Sequence, residues 1–97
     1  MTKTDIIDRI RAHEADLRQL GLRSLMLFGS MARGTATPAS DVDFLYEFEE
    51  NEATLEHFLE LKALLETLLG CSVDLISNRY ASPHFRRSIR GQLERVL

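Results

Sequence analysis

Residues 41–48 alternate without a break: Asp41, Asp43, Leu45 and Glu47 fall on one side of an extended backbone, and Val42, Phe44, Tyr46 and Phe48 on the other. This period of two predicts a strand with one face sunk in a core. It also places two carboxylates one residue apart on the opposite face. No other feature restricts the fold as strongly, because the strand's neighbours must supply both a core and a reason for the paired acids.

The flanking segments set its pairing. Leu22–Phe28 is short, apolar and bounded by Gly21 and Gly29, the pattern of a buried strand. Ser30-Met-Ala-Arg33-Gly34 suits one helical turn, with Ser30 as N-cap and Gly34 at the exit, and residues 35–40 form a loop containing Pro38. A parallel crossover needs about a dozen residues or more, usually as a helix, so this connection predicts antiparallel first and second strands.

After the acidic turn Glu49-Glu50-Asn51-Glu52, residues 53–69 read as a helix with Leu55, Phe58, Leu59, Lys62, Leu65 and Leu69 along its inner side and Gly70 at its end. It is long enough for a right-handed crossover to a parallel third strand over residues 72–77. There Val73 and Leu75 share one face and Asp74 shares the other with Ile76, so Asp74 should lie beside Asp41 and Asp43.

Two further helices complete the reading. Thr2 and Asp5 form a capping box for a helix that carries Ile6, Ile10, His13, Leu17 and Leu20 and closes at Gly21, with His13 in a packing role. Ser82-Pro83 starts the last helix, whose inner stripe is Phe85, Ile89, Leu93 and Val96, while Arg86, Arg87 and Arg90 crowd the same helix without an assigned role. The expected architecture is a single α/β domain over residues 1–97, a small mixed sheet of about three strands flanked by helices.

Composition narrows the function. Hydrophobic residues at 44% and charged residues at 28% exclude a disordered chain. Twelve basic against fifteen acidic residues, a net charge of -3, argue against extended nucleic-acid binding. No apolar run approaches the roughly 18 to 20 residues that span a bilayer. Cys71, the single cysteine, cannot form an internal disulfide, and the first residues lack an apolar signal region. Cytoplasm is the expected compartment.

The central stretch has a definite chemistry. Residues i and i+2 of a strand lie about 6.5 to 7 Å apart, so Asp41 and Asp43 can converge on metal ions above their face. Hard carboxylate oxygens favour Mg2+ or Mn2+ over zinc, and Asp74 would complete the cluster. The backbone amides around Gly29 and Ser30 can hydrogen-bond the oxygens of a nucleoside triphosphate, and Gly29 permits close approach. Two metal ions about 3.5 to 4 Å apart suit in-line attack on an α-phosphate.

Gly29-Ser30, ten residues, Asp41-x-Asp43 and a later Asp74 on an apolar strand together resemble the signature of the nucleotidyltransferase superfamily. Gly29-Ser30-Met-Ala-Arg33-Gly34 followed by Ser40-Asp41-Val-Asp43-Phe looks more narrowly like the minimal nucleotidyltransferases. The resemblance follows the order of elements through nearly the whole chain and is most specific between Phe28 and Leu45. It implies that Asp41 and Asp43 bind both metals. Asp74 would bind the catalytic metal and help to activate the acceptor hydroxyl, and Gly29 and Ser30 would hold the triphosphate. Arg33 and Ser40 are implied to orient it.

The resemblance also implies a partner. Family members of this size are commonly antitoxins paired with a small helical toxin of the HEPN class, an RNase, so the resemblance implies transfer of AMP from ATP to a toxin tyrosine. The length of the chain agrees, leaving no room for an acceptor-binding domain, so a partner chain should supply the acceptor. Two other readings are an antitoxin that neutralises its partner by binding alone and transfer to a small molecule such as an aminoglycoside.

Overall fold

The computed structural model describes residues 1–34 and 41–97. Its elements run α1 (Lys3–Arg11), α2 (Glu14–Gln19), β1 (Leu22–Phe28), α3 (Ser30–Arg33), β2 (Val42–Phe48), α4 (Leu55–Leu69), β3 (Val73–Ser77), α5 (Pro83–Ser88) and β4 (Glu94–Arg95). The loop expected over residues 35–40 lies outside the described residues.

The four strands form one mixed sheet in the order β3-β2-β1-β4. As the connection lengths predict, β1 and β2 are antiparallel and β2 and β3 parallel. The fourth strand replaces part of an expected helix. α5 stops at Ser88, Gly91 takes φ +86, and the chain extends to pair Glu94 and Arg95 with Leu27 and Met26 of β1. A helix cannot continue through that left-handed backbone, so Val96 reaches the core from the chain just after β4 rather than from a helical stripe.

The expected first helix is also two. The capping box of Thr2 and Asp5 forms as its spacing predicts, but the helix ends at Arg11 and restarts after His13, whose φ -117 and ψ 25 are non-helical. The apolar stripe survives the break, since Ile6, Ile10 and Leu17 are all buried. His13 is half-buried, with Nδ1 3.3 Å from the Arg9 carbonyl.

One face of the sheet packs on α1, α2 and α4, where Phe44, Leu25, Leu27, Leu61, Leu65 and Val73 are buried. Side chains of this type contribute about 1.5 to 3 kcal/mol each when fully buried. The expected inner stripe of α4 is rotated: Leu61, Leu65 and Leu69 are buried and Phe58 and Leu64 partly so, whereas Leu55 and Leu59 are exposed. On the other face a small cluster of Phe28, Leu45 and Ile89 is covered by Phe85 of α5. The Phe28 and Phe85 rings meet edge to face at 5.6 Å.

Candidate active site

Two strand registers assemble the carboxylates. Antiparallel pairing sets Phe28 opposite Asp43, and parallel pairing sets Asp43 opposite Asp74. The C-terminal end of β1, where the chain turns at Gly29, therefore meets the beginnings of β2 and β3. Asp41 stands one residue before β2, exposed, and Asp74 is likewise exposed, whereas Asp43 is half-buried.

Gly29 is required at its position on two counts. Its φ of +78 is a conformation that side-chain-bearing residues avoid, and a Cβ there would lie 2.3 Å from Asp43 Oδ2. The backbone thus runs directly against a carboxylate. Gly29, rather than the expected Ser30, is the N-cap of α3, and Ser30 is the first helical residue. Gly34 ends this turn with φ +77, as its position predicts.

The start of β3 is pinned by α4. Glu66 Oε2 accepts from the Val73 amide at 3.1 Å, and Lys62 Nζ donates both to that carboxylate and to the Val73 carbonyl. The Val73 amide, with help from Lys62, holds the Glu66 carboxyl below its usual range. This clamp fixes the residue immediately before Asp74. Lys62, expected on the helix's apolar side, instead spends its charge on this junction.

Electrostatics mark Asp43. Burial pushes its carboxyl above the usual range, the Asp74 charge and a hydrogen bond with Asp74 add to the effect, Asp41 adds further, and Arg33 opposes it. Ionised neighbours at such a junction repel, and a divalent cation would relieve them. The donor set is all carboxylate oxygen, which fits a hard cation of the Mg2+ or Mn2+ kind. Among the described residues no group of three His, Cys, Asp or Glu side chains is closed around a point that would hold a metal ion. The structure brings Asp43 and Asp74 together, with Asp41 near enough for its charge to be felt.

Of the other expected residues, Arg33 ends α3 and donates from Nη1 to Gln92 Oε1 at 3.0 Å. Ser40 lies outside the described residues. Gln92 carries no motif and falls where the sequence predicts a helix, so nothing in the sequence singles it out. A groove of about 220 Å³ lined by Tyr46, Phe58, Tyr80 and Arg79 opens elsewhere, at the far ends of β2 and β3. Three residues of strand, about 10 Å, separate Tyr46 from Asp43, so this groove is not the junction of the carboxylates.

Comparison with known proteins shows the family. Residues 10–96 match the model of the nucleotidyltransferase domain. The protein adenylyltransferase MntA of Thermococcus cleftensis is 44% identical over 77 residues, 78% of this chain and 77% of that one. A solved structure provisionally described as a minimal nucleotidyltransferase superposes with a TM-score of 0.81 at 35% identity, over 97% of this chain and 95% of the other. A crystal structure of a toxin–antitoxin with AMP-PNP superposes at 0.69 with 25% identity, over 100% of this chain and 73% of its own. With a family match over residues 10–96 and a fold in common with such a structure, the chain belongs to the nucleotidyltransferase domain family, in the minimal form.

Proposed function

We propose that this protein is an ATP- and Mg2+-dependent adenylyltransferase that moves AMP onto a hydroxyl, a tyrosine, of a partner toxin of the HEPN class and so acts as its antitoxin in the cytoplasm. The observation that carries this reading is the register of Asp43 against Asp74 beside the Gly29 turn. The name of the MntA relative supports transfer of AMP to a protein, and the toxin–antitoxin structure with AMP-PNP supports an adenine nucleotide and a toxin as partner.

The reaction joins an acceptor oxygen to the α-phosphorus, breaks the α–β phosphoanhydride bond and releases pyrophosphate. Asp41 and Asp43 would hold the metal ions, and Asp74 would bind the catalytic one and assist removal of the hydroxyl proton. Amides at Gly29 and Ser30 orient the phosphates, with Arg33 and Ser40 in support. Mg2+ or Mn2+, two ions in the full site, would neutralise charge on the triphosphate and lower the pKa of the attacking hydroxyl.

Incubation with α-labelled ATP, Mg2+ and the HEPN-type partner is expected to label the partner. Asp74→Asn should slow labelling by about 10² to 10⁴, the usual worth of a positioned proton acceptor, and Asp43→Asn should abolish it. Undiminished labelling by both variants would sink the reading. Neutralisation that survives in both variants without labelling would favour binding alone as the antitoxin mechanism.

A further inference from the structure

Arg33 and Gln92 are 59 positions apart, yet the guanidinium Nη1 donates to the amide Oε1 at 3.0 Å. Gln92 is itself anchored. Its Nε2 donates to the Ser88 carbonyl at 3.3 Å, and its backbone amide donates to the Ile89 carbonyl at 3.0 Å. Ser88 and Ile89 close α5, and Phe85 and Ile89 pack on Phe28 and Leu45. Phe28 adjoins Gly29, and Leu45 lies two residues beyond Asp43 on the same face of β2. Gln92 therefore links the end of the α3 turn to the same rigid cluster that bears the site.

Arg33 is exposed and Gln92 half-buried. A guanidinium carries five N–H donors in a planar fork matched to phosphate oxygens, and among the described residues the contact with Gln92 occupies one. Its charge lies close enough to oppose that of the carboxylates at Asp43. An arginine free to rotate loses rotamer freedom when it grips a phosphate, and holding it beforehand lowers that cost.

We propose that Gln92 is a positioning residue for the nucleotide, holding the Arg33 guanidinium beside the Gly29–Asp43 junction with its remaining donors available to a triphosphate. This rests on the nucleotidyl-transfer reading of the same site. Arg33 touches the phosphates, and Gln92 acts through Arg33.

The test is a double-mutant cycle on the whole chain, read by calorimetric titration with AMP-PNP and Mg2+ and by initial rates of labelling. Gln92→Met keeps the bulk of the side chain and removes the acceptor. It is expected to weaken AMP-PNP binding about two- to tenfold, as unfixing one side chain should. KM for ATP should rise by a similar factor while kcat holds within about twofold. In an Arg33→Ala background the same substitution should change binding no further.

Unchanged affinity in Gln92→Met, or an equal loss in both backgrounds, overturns the proposal. Should Gln92→Met melt below the assay temperature, Gln92→Asn, one methylene too short for the contact, carries the same comparison. Failure of the unsubstituted protein to bind AMP-PNP overturns this proposal and the nucleotidyl-transfer reading together. Normal binding by Gln92→Met with labelling lost in Asp43→Asn overturns this proposal alone.

Discussion

Asp43 sits half-buried between the Gly29 backbone and Asp74, and its carboxyl is raised above 3.8, first by burial and then by its acidic neighbours. The folded state therefore takes up a proton at a pH where the unfolded chain has already released it. Unfolding free energy falls as pH rises through the window between the unfolded and folded values, and above that window the ionised site is a standing cost to the fold. Asp43→Asn keeps the shape, and its amide can donate to Asp74. In metal-free buffer at neutral pH the variant should have a higher urea midpoint than the unsubstituted protein, and added Mg2+ should narrow the gap. Equal midpoints would show that the acids do not strain one another. That Asp74 lies beside Asp43 was legible in the sequence, because the connection lengths predict a parallel third strand and a period of two puts the acids on one face. The register that sets Asp43 opposite Asp74 was not. Nor was the contact of Arg33 with Gln92, since a bond between side chains 59 positions apart leaves no period to read.

Among the elements, α4 separates what a pattern can decide from what packing decides. Leucines at 55, 59, 61, 64, 65, 68 and 69 allow more than one apolar stripe at helical spacing, and only the sheet beneath selects Leu61 and Leu65 over Leu55 and Leu59. Leu61→Ala is expected to cost about 2 to 5 kcal/mol through lost burial and a cavity. Leu59→Ala should stay within about 0.5 kcal/mol, and chemical denaturation of the two variants distinguishes the faces. The ends of the chain were read as longer helices for a related reason. Apolar residues kept helical spacing through His13 and through Gly91, where the backbone turns away, so the stripe was visible and the interruption was not. β4, only two residues long, carries no alternation at all and exists because β1 offers it an edge.

At the scale of the molecule, the sheet order β3-β2-β1-β4 joins segments from opposite ends of the chain. Arg11 of α1 donates from Nε to the Val96 carbonyl at 3.0 Å, and Leu25 exchanges backbone bonds with Val96 and Leu97. No helix among the described residues is long and apolar enough to cross a membrane. The parallel pairing of β2 with β3 also bears on the order of folding. Asp43 and Asp74 become neighbours only after α4 has docked and carried the chain back across the sheet, a non-local closure that is slow compared with forming the β1–β2 pair. Nothing that grips both carboxylates can act on the chain before that closure. Mg2+ with ATP is thus expected to leave the refolding rate nearly unchanged and to slow unfolding, giving a chevron whose denaturing arm alone moves in stopped-flow measurements.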